Sequence, residues 1–378
     1  MANNNNTKNL NVPNLRFPEF KGEWETAILG DIVKSISSGK TKPSEGEYNL
    51  YGSTGIIGRT PKPDYKGEML LVARVGANAG YLQLINEQCG ITDNTLIVVP
   101  TDVPTKYLYY FLLHFNLNRL VFGSGQPLIT GGMLKKIKVQ IGTKKEQDKI
   151  SNLLSLLDER ITTQSKIIED LKKLKCAIIE SLLSSVRSNE MLLRDVGSYI
   201  RGLTYSSNDV VEQDGILVIR SNNIVNGSSL DYNNDVVFVR KQMSAEQQLQ
   251  SGDIVICMAN GSTSLVGKSS YYDGECLSPI TVGAFCGIYR SKEPIVKWLF
   301  QASRYRRYIL NSLQGGNGAI ANLNGEDILR MSFPIPEKST MNHCTKLLTS
   351  LDSLIESNIS LCDLYSSQKK YMLRQMFI

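Results

Sequence analysis

The sequence has 378 residues, more than one ordinary hydrophobic core supports, so two or three domains are expected. A hydrophobic fraction of 42% with 21% charged residues is typical of a globular chain and excludes a disordered or membrane-embedded one. The formal net charge of +6 allows a polyanionic partner, provided that the basic side chains gather on one face.

The amino-terminal segment, the lack of long apolar runs and the cysteines indicate the cellular compartment. The polar opening MANNNNTKNLNVPNLRF lacks the apolar core of a secretory signal, and no apolar run reaches the ~18 residues of a membrane span. We therefore expect a cytoplasmic protein without a membrane partner. Seven cysteines without a C-x-x-C pair indicate reduced thiols, and with only two histidines, His114 and His343, no metal site is expected.

Residues 134–184 and 328–378 repeat each other without a gap at an offset of 194. Leu157-Asp158 falls on Leu351-Asp352 in this register. Each copy begins with a short apolar alternation, which predicts a strand, and continues with the periodicity of a long helix. We predict a first domain over residues 1–142, a spacer helix over 143–187, a second domain over 188–337 and a second spacer helix over 338–378.

The two predicted helices carry a heptad seam, in which apolar residues alternate at gaps of three and four. Lys175 and Lys369 also occupy equivalent seam positions in the two copies. Gln164 and Asn358 place an amide at one seam position in both copies, either by coincidence or because an amide fixes the register of paired helices. The predicted seam residues are Ile150, Leu154, Leu157, Ile161, Gln164, Ile168 and Leu171 in the first copy and Leu348, Leu351, Ile355 and Asn358 in the second.

The repeat continues before the helices at a drifting offset. GEMLLVARVGANAG at position 67 corresponds to GDIVICMANGSTSLVG at position 252, and KYLYYFL at position 106 to KWLFQAS at position 297. The glycines of GSTSLVGKSS, Gly261 and Gly267, enclose five residues, whereas a phosphate-binding loop has four, and the first copy has no Gly-Lys-Ser. We interpret this segment as a loop between strands. No catalytic constellation is found.

Loops rich in Lys, Arg, Asn, Gln, Ser and Gly occur at equivalent places in both copies. Such side chains match base edges in the major groove, and loops on a fixed scaffold commonly carry recognition. Two analogous but unlike loop sets suit two different half-sites better than one converged active site. The candidate DNA-binding residues are Lys40, Lys42, Tyr51, Ser53, Thr54, Arg59, Arg74, Asn78, Gln126, Arg201, Tyr205, Arg220, Asn222, Asn223, Asn260, Ser262, Lys268, Arg304, Arg307 and Asn317.

The sequence resembles the specificity (S) subunits of type I restriction–modification enzymes. The resemblance lies in the opening NVPNLRFPEFKGEWE, in YGSTGIIG and GSGQPLI, and in EQDKISNLLSLLDERI with its echo LLTSLDSLI, and it covers essentially the whole chain. It implies an α+β fold, in which two tandem pseudo-repeated α/β target-recognition domains are separated by two long helices forming an antiparallel coiled coil. One departure is the second copy's Thr-Met-Asn-His-Cys at residues 340–344, where the first copy has Glu-Gln-Asp-Lys-Ile.

The resemblance also implies a function. Each domain would read one half of an interrupted, asymmetric sequence in double-stranded DNA, and the helices would set the gap. Two methyltransferase (M) subunits and restriction (R) subunits would be the partners, and S-adenosylmethionine, ATP and Mg would be bound by those partners, with no cofactor bound by this chain. A coiled-coil protein scaffold that reads no DNA is the alternative, and a self-contained nucleotide- or cofactor-dependent enzyme is a third.

Overall fold

The structure, a computed structural model, describes residues 11–121, 127–184, 189–313 and 321–378. The chain divides into two compact units, the first formed by residues 1–166 with 358–378 and the second by residues 167–357. Each of the two long helices therefore contributes one part of its length to each unit. Among the residues that the structure describes, no helix is long and apolar enough to cross a membrane.

The first unit is built on a six-stranded sheet. Its strand order is β2-β7-β5-β6-β3-β4, in which β3 and β6 run parallel and the other neighbours antiparallel. A separate antiparallel pair joins β1 to β8. The elements are β1 (Glu25–Ile28), β2 (Val33–Ser38), β3 (Tyr48–Gly52), β4 (Gly55–Thr60), β5 (Tyr65–Ala73), β6 (Leu82–Ile91), β7 (Thr95–Pro100), α1 (Thr105–Phe115), α2 (Gly131–Lys135), β8 (Lys138–Ile141) and α3 (Lys144–Leu183).

The second unit repeats this plan with its strands split between two four-stranded sheets, β10-β18-β14-β16 and β11-β13-β12-β17, and an antiparallel pair β9–β20. The elements are β9 (Asn189–Leu192), α4 (Leu193–Val196), β10 (Gly197–Arg201), β11 (Val210–Val211), β12 (Ile216–Ile219), β13 (Val237–Val239), β14 (Ile254–Cys257), β15 (Ala259–Asn260), β16 (Ser269–Tyr271), β17 (Ile280–Val282), β18 (Cys286–Ser291), α5 (Val296–Leu299), α6 (Ser303–Leu313), β19 (Ala321–Asn322), α7 (Gly325–Leu329), β20 (Ser332–Ile335) and α8 (Lys338–Gln375).

The long helices α3 and α8 pair antiparallel, as the resemblance implies. In the first unit the side-chain amide of Gln164 donates to Asn358 Oδ1, and Asp158 pairs with Lys369, so rising numbers on α3 meet falling numbers on α8. In the second unit Lys175 of α3 pairs with Asp352 of α8 at 3.0 Å. All eleven predicted seam residues are buried or half-buried, the latter being Ile161, Ile168, Leu171 and Asn358.

Replacing Gln164 by leucine tests whether the amide pair fixes the helix register. We expect the free energy of unfolding to change by less than about 1 kcal/mol. The variant also removes the energetic cost of shifted helix registers, in which the Gln164 amide would be buried without a hydrogen-bond partner. The Oγ of Ser165 lies 3.7 Å from Cys362 Sγ, so Ser165→Cys should oxidise to a cross-link in the native register. Adding Gln164→Leu should lower the cross-link yield. An unchanged yield would show that the amides do not set register.

The start of α3 explains the departure between the two copies. Thr143 Oγ1 accepts from Glu146 N at 3.4 Å, one half of a capping box. The Glu146 side chain is fully buried, and its carboxylate instead accepts hydrogen bonds from Arg16 Nε at 2.8 Å and Arg16 Nη2 at 2.9 Å. Arg16 belongs to the segment NVPNLRFPEFKGEWE, which has no second copy. Residues 340–344 therefore do not need the glutamate that the first copy keeps.

Candidate nucleic-acid interface

The predicted loops of the first unit meet at the turn between β6 and β7, residues 92–94, here called the central turn. Thr92 N donates to Tyr51 O at 3.0 Å, and Asn94 O accepts from Arg74 N at 2.9 Å and from Ser53 Oγ at 3.2 Å. Arg74 O in turn accepts from Ile129 N at 2.8 Å, which brings in the chain after Pro127. Three loops predicted separately from the sequence thus bond, directly or through Arg74, to one turn.

The other first-unit candidates differ in how free their side chains are. Tyr51 is half-buried, and its hydroxyl donates to Glu87 Oε1. Burial, reinforced by that carboxylate, raises the tyrosine pKa, so Tyr51 stays a neutral donor. Arg59 holds its own hairpin through Nη1 to Glu47 O at 2.9 Å. The exposed candidates of this unit are Lys40, Lys42, Thr54, Arg59 and Asn78, and Gln126 lies outside the described residues.

The second unit has a central turn at residues 283–285, between β17 and β18, with the same backbone hydrogen bonds. Gly283 N donates to Ile219 O at 2.8 Å, as Thr92 N does to Tyr51 O. Met258 N donates to Phe285 O at 2.8 Å, as Arg74 N does to Asn94 O, and Leu323 N donates to Met258 O at 2.8 Å, as Ile129 N does to Arg74 O. The two units are therefore equivalent here, bond by bond.

Two clefts flank this second central turn and share Ala284 and Phe285. A cleft of about 440 Å³ is lined by Tyr205, Arg220 and Asn222, and a cleft of about 590 Å³ includes Arg201. Four residues predicted from two separate loops are thus brought to the clefts beside this turn. Arg220 Nη2 donates to Asp235 Oδ1 at 2.8 Å, and Asn222 also donates to Asp235.

The remaining candidates spread out. Asn223 is buried, and its amide donates to Asn234 O at 2.8 Å, so it supports the loop and faces no ligand. Asn260 Oδ1 accepts from Ser262 N at 2.9 Å, and Lys268 is half-buried. Arg304 Nε donates to Ser332 O at 3.1 Å. Arg307 is exposed on α6, and Asn317 lies outside the described residues.

The segment GSTSLVGKSS is a turn whose N–H groups are used within the chain. Gly267 N donates to Cys257 O at 2.8 Å, and Lys268 N to Leu265 O at 3.2 Å. Gly267 has φ +79°, a conformation that favours glycine, and a Cβ there would lie 2.7 Å from Ile309. Among the described residues no group of three or more His, Cys, Asp or Glu side chains is arranged to hold a metal ion.

A glycine presses against each central turn. A Cβ on Gly39 would lie 2.2 Å from Ile91 O, and a Cβ on Gly202 would lie 2.2 Å from Gly283 O. We expect Gly202→Ala to lower the free energy of unfolding by about 1–3 kcal/mol, because the loop must back away from the turn. Urea unfolding measures the loss. Gly261→Ala, where nothing lies within 4 Å, should change it by less than about 0.5 kcal/mol; equal effects would contradict the close approach.

Sequence reasoning missed Asn94 and Phe285, the residues at the end of each central turn. Both are exposed, Phe285 with 68% of its surface accessible to solvent. The offset of 191 that relates Lys106 to Lys297 also relates these two residues. Carrying that offset back across β7 and β18 would have paired them.

Comparison with known proteins shows which proteins this chain is similar to. Residues 21–173 match the family described as type I restriction modification DNA specificity domain. The type I restriction enzyme EcoKI specificity subunit of Escherichia coli (strain K12) is 33% identical over 172 residues, which cover 43% of this chain and only 35% of that subunit. The MjaVIII specificity subunit of Methanocaldococcus jannaschii is 25% identical over 90% of this chain and 88% of its own.

The fold extends this similarity to the whole chain. The crystal structure of the type I restriction–modification S subunit from M. genitalium superimposes with a TM-score of 0.69 at 17% identity, covering 97% of this chain and 99% of that one. Residues 21–173 are therefore similar to a type I DNA specificity domain, and the whole chain shares the fold of that S subunit.

Proposed function

We propose that this chain, a relative of the type I specificity subunits, is the non-catalytic DNA-reading subunit of a type I restriction–modification complex in the cytoplasm. Each unit reads one half of a bipartite, asymmetric target in double-stranded DNA. The chain itself binds no cofactor; partner subunits bind S-adenosylmethionine, ATP and Mg.

The observation that carries this proposal is the pair of central turns. Equivalent backbone bonds hold both, yet the side chains at the equivalent positions differ: Asn94 and Arg74 in one unit, and the exposed Phe285 and the buried Met258 in the other. A repeated frame with unlike side chains suits two different half-sites, since bases are read by side-chain donors, acceptors and apolar groups.

The long helices supply a second support. Several apolar side chains on α3 and α8 lie outside the seam and remain exposed, including Leu156 (56%), Leu174 (50%) and Leu364 (65%). Exposed apolar side chains on long helices suit contacts with other proteins. We propose that these faces dock two methyltransferase subunits, with restriction subunits joining the full complex, and that the helices set the gap between the half-sites.

The test is to co-express the chain with its methyltransferase subunit and map methylated bases by long-read sequencing. We expect one interrupted, asymmetric motif that disappears when this chain is omitted. An assembled complex without any motif would overturn the proposal and favour a protein scaffold.

A binding measurement separates the same two functions. A DNA reader should bind duplex DNA with an affinity that falls steeply as salt rises, because phosphate contacts release counterions. A scaffold should show no such dependence.

A further inference from the structure

Each unit leaves one exposed side chain at the end of its central turn. In the first unit it is Asn94, whose carbonyl holds Arg74 N and Ser53 Oγ. In the second it is Phe285, whose carbonyl holds Met258 N at 2.8 Å and Ala259 N at 3.1 Å. Because an equivalent backbone hydrogen bond, from Arg74 N or from Met258 N, holds both turns, the side chain can change without moving its support.

An arginine, a side chain suited to contacts with DNA, lies near each of these two residues. Beside Asn94, the Nε of Arg74 is buried and has no hydrogen-bond partner among the described residues; beside Phe285, the same is true of Arg220 Nε. Both Nε atoms are shielded from solvent, so a contact with DNA would use the terminal guanidinium nitrogens, of which Arg220 Nη2 already donates to Asp235. Arg201, exposed at the second cleft, adds a further positive charge.

Phe285 is unusual for a soluble surface. It forms the ridge shared by the two clefts, with Tyr205, Arg220 and Asn222 on one side and Arg201 on the other. No aromatic ring contact holds it in place among the described residues. An exposed phenyl ring among amide and guanidinium groups suits contact with a base that has an apolar edge, and thymine alone has a methyl group in the major groove.

We infer that Asn94 and Phe285 are equivalent specificity-determining residues, one for each half-site. Asn94 reads adenine through its amide, which matches the adenine N6 and N7 edge, and Phe285 contacts a thymine methyl group. This inference rests on the proposed function and assigns its readout to two named positions. The difference between these two side chains contributes to the asymmetry of the target.

The first experiment is to map methylation by the complex carrying Asn94→Ala, Phe285→Ala or neither change. Asn94→Ala should reduce discrimination at one base pair of one half-site by about 5- to 150-fold and leave the other half-site unchanged. Phe285→Ala should reduce discrimination at one base pair of the opposite half-site by about fourfold, the effect of one buried methyl group. Leu277→Ala is the matched control, because Leu277 is fully exposed but lies before β17 whereas Phe285 lies after it.

The outcomes separate the two ideas. If the unaltered chain gives a bipartite motif and both variants give the same motif with the same discrimination, the inference fails and the proposed function stands. If the unaltered chain gives no motif, the proposed function fails and takes the inference with it. Thermal unfolding of each variant confirms that it is folded, which the exposure of both side chains favours.

A second experiment tests the thymine contact itself. Deoxyuridine replaces each thymine of the second unit's half-site in turn, which removes only the methyl group. At one position the unaltered complex should bind about fourfold more weakly, the effect of one buried methyl group, whereas Phe285→Ala should bind both DNAs equally. Equal sensitivity in the two proteins, or a half-site composed of G·C pairs alone, would overturn the assignment of Phe285.

Discussion

Replacing Asp352 by alanine is expected to lower the free energy of unfolding of the second unit by about 3–5 kcal/mol. The Asp352 side chain is 8% exposed and accepts from three donors: Lys175 Nζ at 3.0 Å, Lys297 Nζ at 2.8 Å and Trp298 Nε1 at 3.0 Å. Removing the carboxylate leaves two ammonium groups and an indole N–H largely away from water. This loss of stability is measured by denaturant unfolding of the intact chain, with hydrogen exchange of the second unit's amides as the readout.

The chain supplies a matched control at the equivalent residue of the first unit. Asp158 pairs with Lys369 and accepts from Tyr110 Oη at 2.8 Å, but its side chain is 33% exposed. Water compensates an exposed carboxylate, so Asp158→Ala should cost only about 1–2 kcal/mol. Equal losses at the two positions would show that burial does not control the strength of these ion pairs.

Replacing Phe377 by alanine should lower the free energy of unfolding of the first unit by about 3–5 kcal/mol, because it empties a filled core site. Phe377 is 3% exposed, and its ring lies 5.3 Å from Tyr107, 6.2 Å from Phe111 and 5.8 Å from His114, centroid to centroid. Tyr371→Ala, at a residue that is 58% exposed, should change the stability by less than about 0.5 kcal/mol.

His114 gives this variant a local spectroscopic signal. Burial lowers the imidazole pKa below its ordinary value, although a backbone hydrogen bond at Leu373 opposes the shift. Because the unfolded chain then binds the proton more readily, the first unit loses stability as pH falls through the ordinary histidine range. Phe377→Ala admits water, so the His114 pKa measured by NMR should rise. An unchanged pKa would contradict the packing described here.

The repeat and the helix pairing could be predicted because they rest on residue periodicity, which survives sequence divergence. Lys175 and Lys369 stood out as equivalent seam positions, and Asp158 and Asp352 as equivalent neighbours of seam leucines. Their pairing into two ion pairs could not be predicted from spacing alone, because it depends on the antiparallel alignment of α3 and α8. Tertiary geometry decides which charges meet.

The loops were predicted from the sequence as candidate DNA-binding segments, but their meeting at the central turns was not predicted. The gapless alignment of the loop after β5 with the loop after β14 places Arg74 opposite Ala259, whereas the hydrogen bonds place it opposite Met258. A one-residue change in the offset cannot be detected from the sequence where the side chains differ, because the two units share only backbone hydrogen bonds there. Asn94 and Phe285 show no such drift, since the offset of 191 that relates Lys106 to Lys297 also relates them.

The division of the chain has a consequence for its synthesis on the ribosome. The second unit is one continuous segment, residues 167–357, whereas the first needs residues 358–378 as well. Met376 and Phe377 fill the core of the domain whose other residues emerge first. The amino-terminal domain therefore stays incomplete until the ribosome has translated the end of α8. The second unit, although its synthesis starts later, has all of its residues before the first unit does.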